Sequence, residues 1–165
     1  MNIEKVLKSG GVLRYHATPE IPCQTLADHQ WRVGLLLQHF YPTMGKHVLI
    51  ACLTHDCAEM LTGDAPTYAK QAQPALKILL DKMENDIVTD WGIKCNLENN
   101  EKKALKFCDV LEGLFYCHEQ VMSGNRAAKP IFFNWVAYYE SLKDGEYYQH
   151  QAVVKEKVQE VNHVR

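Results

Sequence analysis

Between about residues 98 and 122 the chain places inward-type side chains at 104, 107, 108, 111, 114, 115, 118 and 121 or 122. That three-to-four-residue spacing is one face of an α-helix. Such a helix is about 37 Å long at about 1.5 Å per residue. Gly124-Asn125 supplies the helix-ending signal just beyond it. A stripe of this length must be buried against other elements, and no segment of the chain alternates in the manner of a half-buried strand. The partners it needs are therefore helices.

Further helices are expected at about 3–9, from Thr25 to Tyr41-Pro42, at 46–61, 69–91, 131–142 and 147–162. Thr25 with Asp28 three residues on reads as a capping-box-like start. Pro74 falls near the start of the 69–91 segment, and residues 12–24, with Pro19 and Pro22, read as an extended loop. No internal repeat, low-complexity tract or linker interrupts the chain. The expected fold is all-α, a single helical-bundle domain over 1–165, with C-terminal helices over 131–162.

Composition narrows the function classes. The 165 residues carry 18 Lys+Arg against 20 Asp+Glu, a formal charge of −2. That balance disfavours a general nucleic-acid coat or a polybasic membrane-surface protein. The longest apolar run, Val48 to Leu53, is far below the roughly 18 residues that span a bilayer. With no export-type leader in MNIEKVLKSGGVLRYH, a cytoplasmic location is expected. The six cysteines form no CxxC pair, and Cys52, Cys108 and Cys117 lie among apolar residues. They read as small buried hydrophobes in a reducing compartment.

Four residues interrupt faces otherwise built for burial: His29, the pair His55-Asp56, and Asp109. A buried carboxylate costs several kcal/mol unless a cation or donor network compensates it. Singly, an inward His is more often a hydrogen-bonded core residue, and a helical Asp is often solvated. Together, two imidazoles and two carboxylates make an N2O2 set for one divalent ion. Glu59, four residues after His55, is expected to project from the same face of the 46–61 helix, and suits a general acid or base. Arg14 offers a bidentate grip on phosphate oxygens, and the adjacent Tyr15 can pack on a sugar or base. Asp64-Ala65-Pro66-Thr67 opens the next loop.

This arrangement resembles the H…HD…D signature of HD-domain metal-dependent phosphohydrolases. The context is closer to their small 5′-deoxynucleotidase branch: Arg14-Tyr15 ahead of the first His, HDCAEMLTGDAPT over 55–67, CDVLEGLFYCHE over 108–119, then Gly124-Asn125. The likeness covers roughly residues 12–125. It implies His29, His55, Asp56 and Asp109 as ligands of one divalent metal, with Mn, Co or Zn the favoured ions. It implies catalytic roles for Glu59, Arg14 and Asp56, and a substrate-binding role for Arg14, Tyr15, Asp64, Ala65, Pro66 and Thr67. The scaffold also resembles the compact phage dATP triphosphohydrolases. On that likeness Lys70, Lys77 and Lys82 can reach outer phosphates, although surface lysines are usually only solvated. Lys70 is the one assigned to the substrate.

Two features depart from the bacterial deoxynucleotidases. Tyr15 stands where they carry a Trp that excludes a ribose 2′-OH, and the interval from His29 to His55 is shorter. No His lies between Asp56 and Asp109, where dinuclear relatives place extra ligands, so the resemblance implies a mononuclear site. The expected activity is removal of the 5′-phosphate moiety from a deoxynucleoside mono- or triphosphate, with dAMP or dATP favoured. The expected partners are that substrate and further copies of the chain, with no nucleic-acid polymer and no membrane. The alternative is a catalytically silent metal-binding or interaction module, which would have no use for Glu59 or Arg14.

Overall fold

The computed structural model describes residues 1–93, 95–142 and 150–164. Their regular structure is nearly all helix: α1 (Ile3–Ser9), α2 (Leu26–Phe40), α3 (Lys46–Cys52), α4 (Glu59–Thr62), α5 (Thr67–Ala72), α6 (Pro74–Asp90), α7 (Asn99–Met122), α8 (Lys129–Ser141) and α9 (Gln151–His163). The chain falls into two compact units, Met1–Leu105 and Lys106–Arg165, with the division inside α7.

In the first unit, α2 begins where the sequence says it should. The Thr25 hydroxyl accepts from the Asp28 N–H at 3.2 Å. The Asp28 carboxylate does not close the box onto Thr25; it takes Gln24 Nε2 and Arg32 Nε instead. α2 buries Leu26, Val33 and Leu37, and with them His29. It stops at Tyr41, because the ring of Pro42 disfavours helical backbone in the residue before it.

Residues 12–24 are not wholly irregular. Leu13–Arg14 (β1) and Gln24–Thr25 (β2) form a two-residue antiparallel ladder, with Leu13 opposite Thr25 and Arg14 opposite Gln24. The ladder is too short to leave an alternating pattern in the sequence.

The expected 46–61 helix is broken. α3 ends at Cys52 and α4 starts at Glu59. Between them the N–H groups of Thr54, Cys57, Glu59 and Met60 bond three residues back, to Ala51, Thr54, Asp56 and Cys57. Three-residue bonding tightens the turn and rotates the side chains away from α-helical register. The Thr54 hydroxyl bonds back to the Ile50 carbonyl at 2.7 Å, offering the backbone a non-helical partner. His55 and Asp56 therefore sit on turns, and the shared helix face with Glu59 does not exist.

The expected 69–91 helix is likewise two helices. Gln73 lies at φ −133, ψ 86, outside the helical region, because Pro74 follows it; Pro74 then serves as the first residue of α6. α6 ends in a Schellman motif. Gly92, at φ 66, donates to Thr89, and Ile93 donates to Val88. Trp91, Ile93 and Cys57 make a buried cluster against Val6, Ile87 and Val88.

The second unit is organised on α7. Its end is a second Schellman motif, with Gly124 donating to Val121 and Asn125 to Gln120. A side chain at Gly113 would meet the Trp135 ring at 2.6 Å, so only glycine lets α8 approach there. Phe107, Leu111, Leu114, Cys117 and Val121 are fully buried, as are Phe132 and Val161. α8 and α9 correspond to the expected 131–142 and 147–162 segments, although 147–149, with Tyr147 and Tyr148, lie outside the described residues. The six cysteines are free thiols, and Cys52, Cys57, Cys108 and Cys117 are buried.

Candidate metal centre

The break between α3 and α4 gives the site its geometry. α2 presents His29, which is fully buried, and the turns present His55 and Asp56. His29 Nε2 lies 3.3 Å from His55 Nε2 and 3.6 Å from Asp56 Oδ2; His55 Nε2 lies 3.2 Å from the same oxygen. Three donor atoms thus form a small triangle. Ligands about 2.1 Å from a common ion stand about 3.0 Å apart at octahedral angles and about 3.4 Å at tetrahedral ones. The observed edges bracket the tetrahedral value and lie above the octahedral one, and the donor set suits a divalent transition ion.

The chain fixes the imidazole that the turns expose. His55 Nδ1 is 2.9 Å from the Cys52 carbonyl, which can only accept, so the proton sits on Nδ1 and the Nε2 lone pair faces the triangle. Hydrogen bonding on the far nitrogen is the usual way a protein orients a metal-binding His.

Glu59, the first residue of α4, is 8% exposed, and its Oε2 has no hydrogen-bond partner among the described residues. Burial, reinforced by the charges of Asp56 and Asp64, pushes its carboxyl up to about 9; Arg14 and Lys70 pull the other way. Those influences place Asp56, Asp64, Arg14 and Lys70 within electrostatic reach of one carboxyl group. Burial also raises Glu84 on α6, where Lys70 opposes the rise and Asp56 adds to it, and Thr62 Oγ1 lies 3.4 Å from its Oε1. Nothing in the sequence separated Glu84 from its neighbours Asp81 and Asp86 on the same helix. Burial, and secondarily Asp56, pushes the Cys57 thiol up to about 12, which keeps it protonated and inert.

Arg14 lies on β1, bonded through Nη1 to Gln24 Oε1 at 3.2 Å and stacked 5.7 Å from the Tyr15 ring centre. Tyr15 is, among the described residues, the non-glycine residue with left-handed backbone, at φ 61. That conformation costs about 1 kcal/mol in a residue with a Cβ, and such strain clusters at functional sites. Ala65, Pro66 and Thr67 lead from Gly63 into α5, which carries Lys70. Lys77 pairs with Asp81 one turn on, along the exposed side of α6, and Lys82 is exposed beside it. Asp109 lies on α7 in the second unit, where Lys106 Nζ donates to its Oδ2 at 2.8 Å. A cavity of about 380 Å³ adjoins His55, bordered by Thr54, Asn85, Val88, Ile93 and Lys102.

Residues 7–114 match the family described as HD domain. A dATP triphosphohydrolase of Cyanophage S-2L is 34% identical over 117 residues, an alignment covering 67% of this chain and 66% of that protein, a little under two thirds of its length. Among solved structures, the Cyanophage S-2L HD phosphohydrolase DatZ, bound to dA and one catalytic Zn2+ ion, matches with a TM-score of 0.68 at 23% identity, over 98% of this chain and 97% of that one. The PH0347 protein from Pyrococcus horikoshii OT3 matches with a TM-score of 0.68 at 19% identity, over 96% and 99%. At these identities the two structures establish a shared helical fold.

Proposed function

The chain belongs to the HD-domain family, and on that footing we propose that it is a metal-dependent phosphohydrolase that removes the 5′-phosphate moiety from 2′-deoxynucleotides. The observation that carries this reading is the triangle of His29 Nε2, His55 Nε2 and Asp56 Oδ2, with edges of 3.2–3.6 Å. We take Asp109 as the fourth ligand, from its place in the sequence motif. The adenine nucleotide is favoured as substrate by the likeness to the phage dATP triphosphohydrolase.

A divalent ion held by these donors lowers the pKa of water and polarises a phosphoryl oxygen. The protein's own groups do the rest. Arg14 meets the phosphate oxygens and offsets charge that builds on them. Tyr15 and the 64–67 loop hold the deoxyribose and base, and Lys70 faces the phosphate side. Water adds to the α-phosphorus, the bond to the 5′-oxygen breaks, and Glu59 moves a proton at its otherwise unpartnered Oε2. A monophosphate yields nucleoside and phosphate; a triphosphate yields nucleoside and triphosphate. A silent metal-binding module would not keep a carboxyl group buried at such cost beside Asp56 and Asp64.

We read the chain as one HD domain, because the family match runs through the division inside α7. Self-association is part of the proposal: Trp31 and Leu35, one turn apart on α2, are each more than half exposed. No helix among the described residues is long and apolar enough to cross a membrane, and we assign the enzyme to the cytoplasm of a bacterial or phage-infected cell.

The test is a panel of deoxy- and ribonucleoside mono-, di- and triphosphates, assayed with Mn2+, Co2+ or Zn2+. The expected result is release of phosphate or triphosphate from a deoxynucleotide, fastest with adenine. No release from any member, with metal bound, overturns the enzymatic reading.

A further inference from the structure

Beside the phosphate grip lies a buried amide for which the reading above has no role. Gln24 is 2% exposed and sits on β2 directly opposite Arg14. Directly opposed residues of an antiparallel ladder share a face, with Cβ atoms about 4.5–5.5 Å apart. Arg14 Nη1 donates to Gln24 Oε1 at 3.2 Å, and Gln24 Nε2 donates to Asp28 Oδ2 at 2.9 Å. Asp28 in turn accepts from Arg32 Nε at 3.4 Å, one turn along α2.

The chemistry of the neighbours dictates which way the amide points. A guanidinium only donates and an ionised carboxylate only accepts, so the oxygen must face Arg14 and the nitrogen must face Asp28. Glutamate at this position would meet Arg14 but repel Asp28; leucine would satisfy neither. Only a side chain with one acceptor and one donor matches both partners. The two-residue ladder is what brings that side chain to Arg14, and the first turn of α2 is what anchors its other end.

We infer that Gln24 is a positioning residue: its amide, locked against Asp28, holds the Arg14 guanidinium in the pose that meets the substrate phosphate. The inference rests on the reading of Arg14 as phosphate grip. A bond through Nη1 is compatible with simultaneous hydrogen bonds to phosphate oxygens, since a guanidinium carries five N–H donors. Fixing Arg14 beforehand removes a loss of side-chain freedom that substrate binding would otherwise incur.

The experiment compares binding of inorganic phosphate, dAMP and deoxyadenosine to the metal-loaded protein by calorimetry, with KM and kcat for dAMP alongside. The variants are Arg14→Ala, Gln24→Leu, Gln24→Glu, Asp28→Asn and the pair Gln24→Glu/Asp28→Asn. Each Gln24 single variant is expected to weaken phosphate and dAMP about tenfold, as for a lost charge-assisted hydrogen bond, and to leave deoxyadenosine unchanged. The paired variant keeps the acceptor for Arg14 and replaces the repulsion from residue 28 with an amide donor, so it is expected to return phosphate affinity to within threefold of wild type. Equal weakening of deoxyadenosine, or failure of the pair to rescue, overturns the inference in favour of a general structural role. If Arg14→Ala weakens phosphate and Gln24→Leu does not, the inference falls and the phosphate-grip reading stands. If Arg14→Ala itself leaves phosphate and dAMP binding intact, that reading falls and takes the inference with it.

Discussion

Among the histidine–carboxylate clusters of the described residues, one in each unit invites comparison, and the two are built in opposite ways. In the second unit His118 Nε2 lies 2.6 Å from Glu160 Oε2, and Lys157 Nζ reaches the same carboxylate at 3.1 Å. Lys157 donates to both oxygens of that carboxylate, and this bonding foremost holds the Glu160 carboxyl below its ordinary range. In the first unit two imidazoles and one carboxylate oxygen point at a common centre instead of pairing off. Two Nε2 atoms facing each other at 3.3 Å cannot both be satisfied as acceptors without a shared cation or proton. The difference teaches that composition does not make a metal site; convergence of lone pairs on one point does. The His118 cluster ties α9 to α7, while the His29–His55–Asp56 cluster is arranged for something that arrives from outside.

The largest expected effect breaks the first cluster. His55→Ala or Asp56→Ala should cut deoxynucleotide hydrolysis by about 10³-fold or more, because the ion that supplies the electrostatic stabilisation is lost. Circular dichroism should stay helical in both. Retained activity in either variant would remove the triangle from the mechanism. Next in size, Glu59→Gln should lower kcat by about 10²–10⁴-fold, the usual span for a lost general acid or base. Metal stoichiometry should not change, and its loss would instead make Glu59 a ligand.

The same substitution has a second, smaller consequence in the metal-free protein. Burial lifts Glu59 from an ordinary 4.5 to about 9, so between those values the folded chain holds a proton that the unfolded chain releases. That contribution favours folding fully below about pH 4.5 and is lost as pH rises through about 9. Glu59→Gln carries no such proton. The fall in Tm from pH 5 to pH 9 should therefore shrink in the variant, by about 2–4 °C per kcal/mol of linkage removed. An unchanged difference between the two pH values would mean that Glu59 is not held in its protonated form.

The smallest expected effect is on the other side of the comparison. His118→Gln should destabilise the fold by about 1–3 kcal/mol, read by urea denaturation, through the loss of a buried polar contact between α7 and α9. It should leave kcat and metal content as they are. A loss of bound metal in this variant would show that the two clusters are not distinct in kind.

The long elements were legible because periodicity is a local signal. α7 came out with its limits and its Gly124-Asn125 ending, and the Thr25 cap fixed the start of α2. The identities of His29, His55, Asp56 and Glu59 were legible too, as motif positions. What the sequence could not convey is how His55 and Asp56 are presented. The break between α3 and α4 depends on Thr54 and His55 turning back to the Ile50 and Cys52 carbonyls, and apolar VLIACL looks equally helical with or without it. The break at Gln73 was signalled by Pro74, whose effect falls on the residue before it. Gln24 and Glu84 carried no signal, since their significance lies in partners brought to them by the fold.

The central claim is that His29, His55 and Asp56 hold one divalent ion on which hydrolysis depends. The most direct test is to strip the protein with a chelator, confirm the absence of metal by mass spectrometry, and titrate Zn2+, Co2+ or Mn2+ back while following both binding and phosphate release from dAMP and dATP. The account predicts no release from the stripped protein, and recovery that saturates at one ion per chain in wild type but not in His29→Ala or Asp56→Ala. Undiminished hydrolysis by the metal-free protein, or full recovery in those variants, would contradict it.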